Sequence, residues 1–143
     1  MRFWDSSALV PLVVEEQRSA SCRALLRSDS AVAVWAFTRV EVVAAVRRIA
    51  RDNKVDDHSV SALLRRIESV SRRWTVIEPS AAVGELAERL VGVHPLTAAD
   101  ALQLAAAIIE TDDRPRGQSF VTADLRLARA AEAEGFRTIV PHP

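Results

Sequence analysis

The fold turns on residues 31–35, AVAVW, and on the helical segment after them. Five consecutive apolar residues, set between the polar SDS at 28–30 and a mixed segment after Trp35, have the length of one strand. A run apolar on both alternating faces is expected where a strand is covered from both sides, as in a parallel sheet. Residues 38–52, TRVEVVAAVRRIARD, then change period. Val42, Val43, Val46 and Ile49 recur at three and four, the repeat of a helix with one buried face.

The alternation extends in both directions. Arg2 to Asp5 reads as a short strand ending in a carboxylate, followed by a helix through Ser6 to Val14 and another over Ser19 to Ser28. Downstream, His58 to Arg72 carries Val60, Leu63, Leu64, Ile67 and Val70 on one face, and Trp74 to Ile77 is a strand. Ser80 to Leu90 is a helix with a Ser cap, ending near Gly92. Thr97 to Glu110 is almost wholly apolar and so predicts a helix buried on most sides. Ser119 to Thr122 is a strand, Leu125 to Glu134 a helix closed by Gly135, and Arg137 to Val140 a last strand. Strands that alternate with helices, none joined by a hairpin-type turn, predict an α/β fold with a parallel sheet covered on both faces. Ligands of such sheets bind beyond the carboxyl ends of the strands, where strand order reverses.

The 143 residues are read as a single domain, 1–143, large enough to bury a sizeable core. Hydrophobic residues make up 49% and aromatics 5%, with no linker, repeat or low-complexity tract, which suits an α/β domain of tightly packed helices and suits a disordered chain poorly. Nineteen basic and nineteen acidic residues cancel, so the overall field does not announce a nucleic-acid binder. Cationic patches such as RRIARDNK and SRR remain. Cys22 is the only cysteine, which excludes an internal disulfide or a thiolate zinc cluster and suits a small apolar residue on a helix. No stretch reads as a signal peptide or membrane span, so the expectation is a cytoplasmic protein with no membrane partner.

Four acids share one kind of position. Asp5, Glu41, Asp100 and Asp124 each stand where an apolar segment begins or becomes a helix, and the first three are the only charges in FWDSSALVPLVV, VEVVAAV and LTAADALQLAAAII. A lone carboxylate in apolar surroundings costs several kcal/mol unless something compensates it. Local capping is one compensation. Thr38-x-x-Glu41 and Thr97-x-x-Asp100 resemble capping boxes, and Asp5 and Asp124 suit helix N-caps. The other is a shared divalent cation. Asp5 and Asp124 follow strands while Glu41 and Asp100 open helices, so all four can meet at one sheet edge. Two carboxylates about 5 Å apart repel by roughly 3 kcal/mol at an effective dielectric near 20. Mg²⁺ or Mn²⁺ reverses that sign and prefers hard oxygen ligands, whereas zinc would want His or Cys beside the acids. Such an ion can generate a hydroxide nucleophile and stabilise charge on a phosphate oxygen, which points to phosphodiester hydrolysis.

Other templates fail. GxGxxG, GxxxxGK[ST] and GxSxG are all absent. His58, His94 and His142 read as exposed residues, and the single lysine, Lys54, follows a helix end, which weakens a phosphatase reading.

FWDSSALVPL, TRVEVVAAVRR, HPLTAADALQLAAAI and FVTADLRLARAAEAEGF resemble, in order and spacing, the PIN-domain ribonucleases, most closely the VapC-type toxins of toxin–antitoxin pairs. The resemblance covers nearly the whole chain. It implies a three-layer α/β/α sandwich with a central parallel sheet of about five strands, and a Mg²⁺ or Mn²⁺ pocket that cuts single-stranded regions of RNA. Asp5, Glu41, Asp100 and Asp124 match the acidic quartet, as catalytic and metal residues. Ser6 and Thr122 match the hydroxyls beside the first and fourth acids. Inhibition by a cognate antitoxin protein, and assembly as a homodimer or toxin–antitoxin hetero-oligomer, are also implied. Gln103 stands where many relatives carry His, a departure expected to leave metal binding intact and to alter RNA contacts. Base stacking would fall to Trp4, Trp35, Trp74 or a Phe, though the tryptophans flank strands and suit the core.

Arg47, Arg48 and Arg51 share a helix with Glu41 and are candidates either for phosphate contacts or for ion pairs with Asp52 and its neighbours. A rival reading from another class is a non-catalytic protein-binding module with a vestigial pocket.

Overall fold

A computed structural model describes residues 1–143. Five strands form one parallel sheet: β1 (Arg2–Trp4), β2 (Val32–Trp35), β3 (Trp74–Ile77), β4 (Ser119–Val121) and β5 (Arg137–Ile139), in the order β3-β2-β1-β4-β5. Seven helices connect them: α1 (Ser6–Leu9), α2 (Ser19–Ser28), α3 (Thr38–Asp52), α4 (Asp57–Ser71), α5 (Ala81–Val93), α6 (Ala98–Glu110) and α7 (Leu125–Ala133). The chain walks outward from β1 through β2 to β3, then crosses back to β4 and β5. Strand order therefore reverses between β1 and β4.

Side-chain alternation sorts the core into two layers. Phe3, Ala33, Trp35, Ile77 and Phe120 face α5, α6 and α7, where Phe3 stacks on Phe120 with ring centroids 5.2 Å apart. Trp4, Val32, Val34 and Val121 face the other way, onto α1 to α4. All four residues of β2 are buried, as the AVAVW run requires. α6 is the most enclosed helix, with seven buried residues and α5 packed along it. No helix is long and apolar enough to cross a membrane. Cys22 is buried among apolar side chains, and burial raises its thiol pKa to about 11.

Local boundaries differ from the sequence reading in instructive places. The helix expected through Val14 stops at Leu9, and Val10–Leu12 tightens into a 3₁₀ turn around Pro11, which lacks the N–H an α-helix would use. α5 runs past Leu90 and through Gly92 to Val93, since a helical glycine costs only about 1 kcal/mol while Val83, Ala87 and Leu90 are anchored in the core. α4 begins one residue early because Asp56 caps it, accepting from the Ser59 N–H at 2.9 Å. His94 is not an exposed residue: it is largely buried, and its Nε2 lies 2.8 Å from Glu134, which also pairs with Arg89.

Candidate active site

Asp5 sits at the carboxyl end of β1, directly at the strand-order reversal, and is 3% exposed. Its backbone N–H continues the sheet by donating to Val121. Its carboxylate caps α1, accepting from the Ser7 N–H at 3.3 Å. Three hydroxyls converge on it: Ser6 at 3.2 Å, Ser7 at short range, and Thr122 at 2.8 Å from the adjacent end of β4. The Gln103 amide of α6 adds a further donor at 2.7 Å. Asp5 thus carries both a capping role and a place at the centre of a polar cluster.

Glu41 lies in the first turn of α3 without serving as a cap. The capping box expected with Thr38 does not form. Phe37 is the N-cap, with no side-chain cap bond, and the buried Thr38 hydroxyl turns inward to donate to Gln103 at 3.4 Å. The Glu41 carboxylate is left to the cluster, accepting from Gln103 Nε2 at 2.7 Å. Burial raises its proton affinity above the usual range; a hydrogen bond from Ser6 opposes this, and the Asp5 and Asp100 charges add to it. Asp100, in the first turn of α6, receives half of its expected box: its N–H donates to the Thr97 hydroxyl at 3.2 Å. Its carboxyl pKa is raised mainly by burial, opposed by the Thr97 hydrogen bond, with Asp5 and Asp124 raising it further and Arg126 lowering it.

Asp124 is the exposed member. It caps α7, accepting from the N–H groups of Arg126 at 2.7 Å and Leu127 at 3.1 Å, while its own N–H donates to Thr122. The four acids so form a chain of near neighbours, with Asp5 innermost and Asp124 at the rim. No ion pair from Arg, Lys or His reaches any of them. An acidic set with two raised pKa values and no ion-paired cation matches the needs of a hard divalent cation. The carboxylates are not drawn into a cage, however: no three acid side chains surround one point at ligating distance. Between Asp5 and Glu41 lies the Gln103 amide.

Gln103, the departure expected to leave metal binding intact and to alter RNA contacts, lies inside the acidic cluster. It is 1% exposed and touches the carboxylates. Ser7 and Thr38 were missed as site residues. The one available signal for Gln103 was its position: the sole polar residue among LQLAAAII, three residues after Asp100 and so on the same helical face. Ser7 and Thr38 carried no signal beyond standing next to an acid or opening a helix.

The three arginines separate. Arg48 lines an open groove of about 480 Å³ with Ser6, Ser7, Glu16, Glu41 and Ala45. Arg47 and Arg51 line a smaller pocket with Lys54 and none of the quartet. None of the three is in an ion pair, so the pairing with Asp52 does not form. Trp4 and Trp35 are core residues, at 0% and 3% exposure, whereas Phe37 is 52% exposed at the N-terminus of Glu41's helix, against the edge of Trp35.

A parallel sheet in this order, with acids gathered at the β1–β4 reversal, defines an α/β protein with a carboxylate pocket. The PIN domain family model matches residues 2–133, and the chain belongs to that family. Among its relatives, ribonuclease VapC45 of Mycobacterium tuberculosis is 30% identical over 135 residues, covering 94% of this chain and 92% of that protein. VapBC2 of Rickettsia felis, solved bound to a DNA fragment from its promoter, shares the fold with a TM-score of 0.71 at 13% identity, covering 99% of this chain and 98% of that one. A toxin–antitoxin complex from Klebsiella pneumoniae has a TM-score of 0.60 at 17% identity, covering 99% and 98%.

Proposed function

We propose that residues 1–143 act as a single PIN domain with metal-dependent endoribonuclease activity, cutting single-stranded regions of RNA, and serve as the toxin of a toxin–antitoxin pair. The observation that carries this reading is the acidic set around Asp5, none of it in an ion pair, at the strand-order reversal where α/β folds bind ligands. Similarity to a named ribonuclease over nearly the whole chain supports the reaction class. Asp5, Glu41 and Asp100 are the residues to hold Mg²⁺ or Mn²⁺, with Asp124 completing the set at the rim. When bound, that ion lowers the pKa of water and stabilises charge on the phosphate.

The rest falls to the chain's own groups. Ser6, Ser7 and Thr122 orient the Asp5 carboxylate by hydrogen bonding to it. Arg48 lies seven residues beyond Glu41 on α3, about 10 Å along the helix, and lines the same groove, which supports a role in gripping a flanking phosphate. Phe37 is the exposed aromatic suited to stacking on a base. Products with 5′-phosphate and 3′-hydroxyl ends are expected. The likeness to toxin–antitoxin structures supports a cognate antitoxin as partner, and exposed Phe37, Val40 and Leu125 beside the acids offer apolar contacts to it. Assembly as a homodimer or hetero-oligomer and a cytoplasmic location complete the proposal.

Cleavage of a fluorogenic single-stranded RNA tests it. Wild-type protein should cut with Mg²⁺ or Mn²⁺ and not with chelator, and Asp100→Asn should be inactive. Equal cutting by Asp100→Asn overturns the assignment. A protein that neither cuts nor takes up Mn²⁺ in calorimetry is the non-catalytic binding module instead.

A further inference from the structure

We infer that Gln103 is a positioning residue, whose amide holds the Asp5 and Glu41 carboxylates in register for a divalent cation and is itself fixed by Thr38. This rests on the metal-dependent reading of the site. Gln103 Nε2 carries two hydrogens, and both are used, each on a different carboxylate at 2.7 Å: Asp5 Oδ1 and Glu41 Oε2. Its Oε1 accepts from Thr38 Oγ1 at 3.4 Å. Turning the amide over would set Oε1 against two carboxylate oxygens, so only one orientation is available.

The surroundings give no other reason for a polar side chain. Gln103 is 1% exposed, and its neighbours on α6, including Ala101, Leu104, Ala105 and Ala106, are buried and apolar. An unbonded amide here would be costly, and Met or Leu would fill the space as well. The amide's value lies in the two acids. They come from different elements, the end of β1 and the first turn of α3, and no backbone hydrogen bond fixes Glu41's carboxylate. Gln103 ties the two together with two 2.7 Å bonds, whereas the Ser6 hydroxyl, the other group that reaches both, lies at 3.2 Å from Asp5 and has one hydrogen to share. Groups that orient metal ligands from behind commonly change affinity strongly when removed.

Gln103→Met keeps length and volume but donates nothing. Calorimetric Mn²⁺ titration of the full chain, without RNA, should show affinity weakened roughly ten- to hundredfold, as for other supporting partners of metal ligands. Circular dichroism in chelator should show the fold retained. In a Glu41→Gln background the same substitution should cost less, because one of the two carboxylates it holds has gone. Should Gln103→Met fail to fold, Thr38→Val leaves the amide in place but frees it to rotate, and a smaller loss in the same direction is expected. Unchanged Mn²⁺ affinity in a folded Gln103→Met protein, or full additivity with Glu41→Gln, overturns the inference. A wild-type protein that takes up no Mn²⁺ at all overturns the metal reading itself, and the inference with it.

Discussion

Thr122 Oγ1 donates to Asp5 Oδ2 at 2.8 Å, joining the ends of β4 and β1 across the point where strand order reverses. Both residues are buried, and the same hydroxyl accepts from the Asp124 N–H at 3.0 Å. One side chain thus links the innermost acid to the loop that carries the outermost. Thr122→Val preserves the shape and removes both bonds. A hydrogen bond to a buried charged group is worth about 1.5–3 kcal/mol, so urea denaturation should show a loss of that order. An unchanged midpoint would mean that solvent replaces the hydroxyl.

Asp100→Asn and Asp5→Asn should both abolish RNA cleavage, but they should part company in stability. Asp100 gains little from its carboxylate in the metal-free protein, since burial and the charges of Asp5 and Asp124 all oppose ionisation. Its amide variant should be as stable as wild type, or more so, in chelator at neutral pH. Asp5 accepts from Ser6, Ser7, Thr122 and Gln103, and an Asn amide would turn a donor towards donors. A loss of about 1–3 kcal/mol is expected for Asp5→Asn, by the cost of unsatisfied buried groups. Thermal melting of both variants in chelator makes the comparison.

The pH dependence of the metal-free protein carries a definite sign. Glu41 and Asp100 both have raised native pKa values, primarily through burial. The native state therefore binds their protons more tightly than the unfolded chain does. Their contribution to stability is complete below the ordinary carboxylate pKa values and is lost as pH rises through the raised native ones. Relative to wild type in chelator, Asp100→Asn should become progressively more stable across that rise. Added Mn²⁺ should act in the opposite sense, raising the wild-type melting temperature more at neutral than at acidic pH, because ligation needs ionised carboxylates. A difference between variant and wild type that is flat with pH would count against the burial of Asp100.

Arg48 and Arg47 should behave differently despite being adjacent. Arg48 shares the groove of Glu41, while Arg47 lines a separate pocket with Lys54. Arg48→Ala should weaken RNA binding and lower the slope of log affinity against log salt by about one. Arg47→Ala should leave the slope of this site unchanged. Binding measured in chelator across a salt series, with an uncleaved RNA, separates the two; equal slopes for both variants would remove Arg48 from the substrate path.

Much of this molecule was readable along the chain. Val32 to Trp35 and the apolar stretch of α6 announce burial by composition alone, because a strand or helix covered on every side needs no polar face. Asp5 and Asp124 as helix caps follow from chemistry acting over two or three residues. These are local effects, and local sequence carries them.

Packing decided what remained. Thr38 and Glu41 have the spacing of a capping box, yet the helix start at Phe37 leaves the hydroxyl buried and aimed at α6, so the acid is released to the pocket. In the linear order Gln103 reads only as a departure that alters RNA contacts. Only when α6 is laid across the ends of β1 and α3 do its two hydrogens meet Asp5 and Glu41, residues 98 and 62 positions away. The chain specifies which groups are polar; what each must bond to depends on which distant neighbour the fold places within about 3 Å, and no periodicity encodes that distance.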